Sequence, residues 1–200
     1  MAIVPLPRFT RLPDAERRRI LDVATRFFAE EGVDHASYNQ IIAAAGISKT
    51  SAYNYFDGRE DLLNTVLDDV GSRLGSVLGT WQPVETAAEY WSALAAVGDQ
   101  LRRHVAENPN DLALINPAFL LREQGAFLVW INDFVDNGVK IGLITVRCDR
   151  ELLVSATAAV LRAGDARGAA QLRAGVEPDE EQLWVLIRNM WGTPRDQPSR

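Results

Sequence analysis

A short polar stretch near residue 50 holds the side chains of this sequence that are best suited to binding chemistry. If a helix starts after Ser48, one of its faces presents an ammonium group, a hydroxyl, a phenol and an amide, from Lys49, Thr50, Tyr53 and Asn54. Such groups suit phosphate oxygens and the base edges of a DNA groove better than they suit a protein core. The alternative interpretation is an ordinary exposed helix face, because short polar helices are common.

Two short helices joined at a glycine would hold these groups in place. Ser37 and Gln40 predict a capping box that starts the first helix, over residues 38–45. Gly46 then supplies the positive φ that lets the chain leave that helix, and Ser48 can cap the second. This is the layout of a helix-turn-helix, whose second helix enters the major groove of DNA.

The region before and around this motif predicts a small N-terminal domain. Residues 1–12 are expected to be a flexible arm, because they are rich in proline and show no periodicity. Arg8 and Arg11 could follow a DNA backbone, although a disordered tail is the alternative. Residues 13–57 are expected to form a three-helix, helix-turn-helix domain whose first helix stops at Gly32.

Residues 58–200 are expected to form a larger helical domain. A second capping box, from Asp57 to Glu60, opens a long fourth helix, and further apolar stripes at helical spacing follow it. The one β-prone stretch, residues 140–149, has no second strand with which to pair. The predicted fold class is therefore all-α.

Aromatic residues are concentrated in the middle of the chain, beyond what a small helical core normally requires. Together with two amides that could orient a ligand, they predict a site for a moderately large, partly apolar small molecule. Core packing is the alternative role for each residue taken alone. The candidate ligand-binding set is Tyr90, Trp91, Asn116, Phe119, Gln124, Phe127, Trp130 and Phe134.

The net charge of −6 at first argues against a nucleic-acid partner. However, residues 1–64 hold 8 Lys and Arg against 9 Asp and Glu, whereas the rest of the chain holds 13 against 18. The acid is therefore concentrated outside the motif. Local charge matters more than the total, because salt screens interactions beyond about 8–10 Å.

Composition also argues against several classes of protein. Cys148 is the only cysteine, which excludes an internal disulfide and a cysteine-rich metal site. His35 and His104 belong to no ligand-spaced motif, and no cofactor is expected. No apolar run approaches the roughly 20 residues of a membrane span, and the N-terminus lacks the features of a signal peptide. We therefore expect a cytoplasmic protein without a membrane partner.

TetR-family transcriptional regulators have an N-terminal domain that resembles one stretch of this chain, RRRILDVATRFFAEEGVDHASYNQIIAAAGISKTSAYNYFDGREDLL. The matching features are the arginine-led helix ending in FFAEEG, the AAAGIS turn, the Tyr-x-Tyr-Phe close and the acidic-Leu-Leu opening of the fourth helix. The resemblance covers about the first third of the chain. The rest resembles the family only in layout, as an all-helical ligand-binding and dimerisation domain.

The resemblance implies which residues meet DNA. Ser37 and Arg59 would touch phosphates, as would Tyr53, while Thr50 and Asn54 would face base edges. The full set implied to be DNA-binding, in which Asn39 is the weakest member, is Ser37, Asn39, Lys49, Thr50, Ser51, Tyr53, Asn54, Tyr55 and Arg59.

The sequence thus predicts a transcriptional regulator, with repression the commoner mode of this family, that binds a palindromic operator in double-stranded DNA and is released by a small-molecule effector. A single helix-turn-helix reads few base pairs, so we expect a homodimer. Apolar stripes on the last two long helices predict a four-helix interface between subunits, with packing inside one subunit as the alternative. The stripes are Leu152, Leu153, Ala156 and Val160 on one helix, and Leu183, Leu186, Ile187 and Trp191 on the other.

Two other functions compete with this one. An enzyme could use the same helical pocket, but the acids there (Glu89, Asp99, Glu107 and Asp133) pair with no His, Cys or Ser in a catalytic spacing. A helical interaction protein that does not bind DNA is the other alternative.

Overall fold

The computed structural model describes residues 5–115, 119 and 125–192, and these residues form an all-α protein, as predicted. No helix within these ranges is both long and apolar enough to cross a lipid bilayer. The helices are α1 (Pro7–Thr10), α2 (Asp14–Glu31), α3 (Tyr38–Ala44), α4 (Lys49–Tyr55), α5 (Gly58–Leu78), α6 (Ala87–Glu107), α7 (Pro109–Leu114), α8 (Gly125–Lys140), α9 (Arg150–Arg173) and α10 (Glu181–Trp191).

The chain divides into two compact units, and the division differs from the predicted boundary at residue 57. The first unit holds the described residues up to Leu74 together with His104–Leu114, and the second holds Gly75–Arg103 and the described residues from Ile115 onward. The first unit is larger than expected because the first half of α5 buries Leu62 and Val66 completely and because α7 packs against α2. Its extra helices enlarge the core that supports the helix-turn-helix.

The expectation of a flexible arm over residues 1–12 is wrong for its described part. Pro7 occupies the first turn of α1, where its missing N–H costs nothing. Phe9 is buried, with its ring centroid 4.7 Å from that of Phe56. The amide of Leu6 also donates to the carbonyl of Tyr55 over 3.0 Å. The segment is therefore anchored on the end of α4.

A buried carboxylate ties α7 to the helices around it. Asp111 is 3% exposed and accepts two hydrogen bonds from Arg73 on α5, from Nε at 3.1 Å and Nη2 at 2.7 Å. His104 on α6 places its Nε2 2.9 Å from the same carboxylate. Arg73 also pairs with Asp69, whose pKa is nevertheless raised, because desolvation outweighs the attraction of the guanidinium. Three helices thus share one charged centre.

The core of the second unit is built from packed aromatic rings. The Trp81 ring lies 5.0 to 5.5 Å, between centroids, from those of Tyr90, Trp130 and Phe134. Asn137 on α8 is buried, and its side-chain oxygen accepts from the Trp81 indole at 2.8 Å and from a backbone amide at 2.9 Å. This asparagine therefore fixes the segment between α5 and α6 onto α8.

We expect Asp111→Ala to lower the free energy of unfolding by about 2–3 kcal/mol, since the substitution leaves Arg73 and His104 without their shared partner. The expected cost is below that of a wholly buried pair because the Arg73 side chain is 32% exposed. Urea denaturation followed by circular dichroism measures the loss. Glu107→Ala, which removes an exposed carboxylate on α6, is the matched control and should change stability by less than about 0.5 kcal/mol. Equal losses in the two variants would contradict a structural role for the Asp111 network.

Candidate nucleic-acid interface

The turn between α3 and α4 is fixed by a complete set of backbone hydrogen bonds. The amide of Ile47 donates to the carbonyl of Ile42 at 3.1 Å, and the amide of Gly46 donates to that of Ala43 at 3.0 Å. This is a Schellman motif, and it requires a left-handed residue, which Gly46 supplies with φ of +64°. The prediction that Gly46 ends the first helix is confirmed.

Helix α4 is held by one buried side. Ala52 and Phe56 have no exposed surface. Helix α4 contacts α3, whose Ile41 and C-terminal neighbour Ala45 are also buried. At its start, the Ser48 hydroxyl accepts from the amide of Ser51 at 3.0 Å, as an N-cap should. The opposite side of the helix is left to solvent.

Two arginines hold the segments that flank the motif by donating to backbone carbonyls. Arg19 on α2 donates to the carbonyl of Ala45 at the end of α3. Arg59 at the start of α5 donates from Nε to the carbonyl of Ala36 at 2.8 Å and from Nη2 to that of Val33. Its guanidinium also lies over the Phe28 ring, 5.5 Å from the centroid. Sequence reasoning missed these contacts, because backbone carbonyls leave no signature in residue types.

The nine residues predicted to face DNA therefore separate into groups. Asn39, Lys49, Thr50 and Tyr53 are exposed, and among the described residues Tyr53 is the most exposed large apolar or aromatic side chain, at 63%. The others are partly buried, namely Ser37, Ser51, Asn54, Tyr55 and Arg59. Lys49, Thr50 and Tyr53 together form what we call the α4 face, with Asn54 at its edge.

Three of the partly buried residues have roles inside the protein. The Ser51 hydroxyl lies 2.9 Å from that of Ser48. The ring of Tyr55 lies 6.2 Å from that of Phe9, which places it beside α1. Two of the five N–H groups of Arg59 are taken up by carbonyls, so its predicted phosphate contact would have to use the remaining ones on Nη1 and Nη2.

The capping role predicted for the Ser37 side chain is not seen in the structure. Ser37 occupies the N-cap position of α3 with an extended backbone, but its side chain makes no capping hydrogen bond. The predicted capping box with Gln40 is therefore wrong. The second predicted box is also altered, because the amide of Asp57 donates to the carboxylate of Asp61 at 2.8 Å instead of to Glu60.

The residues predicted to bind a ligand lie largely in the aromatic core of the second unit. Tyr90 and Phe134 are stacked, and the Tyr90 hydroxyl donates to the Phe134 carbonyl at 3.0 Å. Trp130 and Phe119 are buried, whereas Trp91 and Phe127 are partly buried with the guanidinium groups of Arg188 and Arg162 over their rings. Asn116 and Gln124 lie outside the described residues. This packing favours the core role for the aromatic residues, and their binding of a ligand stays a prediction.

The two stripes predicted to form a subunit interface are divided between the core and the surface. Leu153, Ile187 and Trp191 are buried in their own unit. Leu152 and Leu186 are 61% and 56% exposed. Gly164 allows α9 and α10 to approach closely, since a Cβ added there would lie 2.5 Å from a methyl group of Leu183. The predicted subunit interface is thus wrong for Leu153, Ile187 and Trp191, whereas Leu152 and Leu186 are available to a second subunit.

We expect Arg59→Lys to lower the free energy of unfolding by about 1–2 kcal/mol, because an ammonium group cannot reach two carbonyls in a fork. A residue that served only to attract phosphates would tolerate lysine without loss of stability. Thermal and urea unfolding measure the change. Arg18→Lys is the control, since Arg18 is exposed and makes no side-chain hydrogen bond to any described residue. A stability of Arg59→Lys equal to that of this control would contradict the structural role.

Known proteins match this chain in two ways. Residues 20–66 match the family model described as bacterial regulatory proteins, tetR family. The HTH-type transcriptional regulator AcrR of Shigella flexneri is 34% identical over 61 residues, which are 30% of this chain and 28% of that protein. The HTH-type transcriptional regulator LuxR of Vibrio harveyi is 29% identical over 77 residues, 38% of each chain. The chain therefore matches well under half the length of these relatives.

A solved structure extends the likeness in fold beyond the motif. The Streptomyces coelicolor protein SCO4942 superposes with a TM-score of 0.53 at 22% identity, over 89% of this chain and 99% of that one. At this identity the likeness concerns the fold alone, and it agrees with an N-terminal helix-turn-helix followed by a helical region. The matched residues 20–66 include all of α3 and α4 and their turn. The match to the tetR family of bacterial regulatory proteins therefore covers the helix-turn-helix region of this chain.

Proposed function

We propose that this chain is a DNA-binding transcriptional regulator, acting as a repressor, that binds a palindromic operator as a homodimer and is released by a small, partly apolar ligand. The observation that carries the proposal is the division of α4 into a side with no exposed surface, at Ala52, and an outward α4 face made of Lys49, Thr50 and Tyr53. A helix held in this way presents a fixed set of polar groups to a partner.

The chemistry of the α4 face suits a nucleic acid. Lys49 brings a positive charge that can neutralise a phosphate, and Tyr53 brings a phenol that can donate to one. Thr50 and Asn54 bring a hydroxyl and an amide, which can bond to base edges, and an asparagine amide matches adenine in particular. The enzyme alternative has no comparable support, since the family match is to regulatory proteins.

Dimerisation is proposed because one short helix reads too few base pairs to find a single operator. The exposed leucines Leu152 on α9 and Leu186 on α10 support it, together with Val185, which is 48% exposed beside Leu186. Large apolar side chains left open in this way are stabilised when a second subunit covers them. A two-fold arrangement of these helices would hold two α4 faces on one duplex.

Control by a ligand is proposed from the aromatic core of the second unit. The indole N–H of Trp130 is buried and has no hydrogen-bond partner among the described residues. Because a buried donor without a partner costs about 1–3 kcal/mol, an acceptor on a small apolar molecule would be stabilised there. A repressive mode agrees with the name of one structural neighbour, the R. erythropolis transcriptional repressor QsdR, with a TM-score of 0.51 and 19% identity over 94% of this chain and 100% of that one.

Substitutions in the α4 face should separate phosphate contacts from base contacts. The full chain is first used to select duplexes from a random DNA pool, and mobility shifts then measure affinity at several salt concentrations. Lys49→Ala should weaken binding to all selected duplexes alike and reduce the slope of log affinity against log salt by about 1. Asn54→Ala should instead lose about 1–3 kcal/mol on the preferred duplex and relax the preference at one base pair.

Lys140 provides the matched control, since it is the only other lysine of the chain and is exposed at the end of α8. Lys140→Ala should leave affinity and its salt dependence unchanged. Selection that enriches no duplex would overturn the proposed function. Equal effects of Lys49→Ala and Lys140→Ala would remove the α4 face from the interface.

A further inference from the structure

Tyr53, a member of the α4 face, lies beside a ring from the neighbouring helix α3. Tyr53 is 63% exposed, and a side chain that open normally loses rotamer freedom when it binds, at a cost of about 0.5–1.5 kcal/mol. The ring of Tyr38, the first residue of α3, lies 6.1 Å from that of Tyr53, between centroids, and is tilted by 54°. This distance is within the range of stabilising aromatic pairs.

Tyr38 itself is partly buried, with its hydroxyl group enclosed by protein. Its hydroxyl oxygen is buried and has no hydrogen-bond partner in the described part of the chain. Burial, together with smaller contributions from the nearby Tyr53 and Asp61, raises the pKa of Tyr38 to about 12. Asp61, from α5, is buried too, and one of its oxygens accepts from the amide of Asp57. The Tyr38 ring therefore sits at the meeting point of α3, α4 and α5.

We propose that Tyr38 is a positioning residue, whose ring restricts Tyr53 to the orientation in which the Tyr53 phenol reaches DNA. This inference rests on the proposed DNA-binding function. Tyr38 does not itself reach the DNA, because its hydroxyl is enclosed by protein. The part of Tyr38 that acts is therefore its ring, and the hydroxyl adds no hydrogen bond to the arrangement.

A double-mutant cycle on the full chain tests this role, with duplexes selected by the wild-type protein as the probe. Tyr38→Phe keeps the ring and should hold affinity within about 2-fold. Tyr38→Leu removes it and should weaken binding by about 3- to 10-fold, the size expected for loss of one aromatic pair. In the Tyr53→Ala background, the same Tyr38→Leu change should have no further effect on affinity, because the side chain that it positions is already absent.

A purely structural role for Tyr38 predicts a different result. Tyr38→Leu would then weaken binding equally in both backgrounds, in step with a loss of stability measured by circular dichroism, and that additivity would overturn the inference. Tyr38→Met repeats the cycle with a flexible side chain that fills the space without a ring, in case leucine impairs folding. If the wild-type chain selects no duplex, the proposed function fails and this inference fails with it, whereas wild-type binding with additive losses overturns the inference alone.

Discussion

The burial of one side of α4 is the constraint on which the rest of the structure depends. This helix has seven residues, and a helix of that length is not stable alone in water, since isolated helices shorter than about 12–15 residues are marginal. Its position and direction therefore come from tertiary contacts, in which Ala52 and Phe56 lose all of their exposed surface. The same contacts decide which residues remain outside. The contacts that bury one side of α4 therefore also determine that the α4 face is exposed.

Arginines complete this arrangement by satisfying carbonyls where helices end and loops turn. The carbonyls of Ala45, Ala36 and Val33 would otherwise depend on water, and Arg19 and Arg59 bond to them instead. A guanidinium suits this role because its donors form a planar fork, which an ammonium group cannot reproduce. Arg19 and Arg59 therefore stabilise the fold of the first unit, and Lys49 is the positively charged residue of the α4 face.

The features of the fold that could be predicted from the sequence are those set by residues close together in the chain. Gly46 and Ser48 act on backbone groups within a few residues, so the end of one helix and the start of the next could be predicted from their types alone. The helix at Phe9 could not, because its burial depends on Phe56, which is distant in the chain. The charged centre at Asp111, which joins three helices, could not be predicted from the sequence either. Aromatic composition likewise cannot distinguish a ligand pocket from a packed core, and the structure places those rings against one another.

Protein footprinting with hydroxyl radicals, with and without a selected duplex, tests most directly whether the outward side of α4 meets DNA. Tyr53 is open to the reagent in the free protein. Saturation with duplex should protect the Tyr53 peptide from oxidation, while a peptide containing Trp184 from the second unit should react as before. Oxidation of Tyr53 at the same rate in the saturated complex as in the free protein would contradict the account.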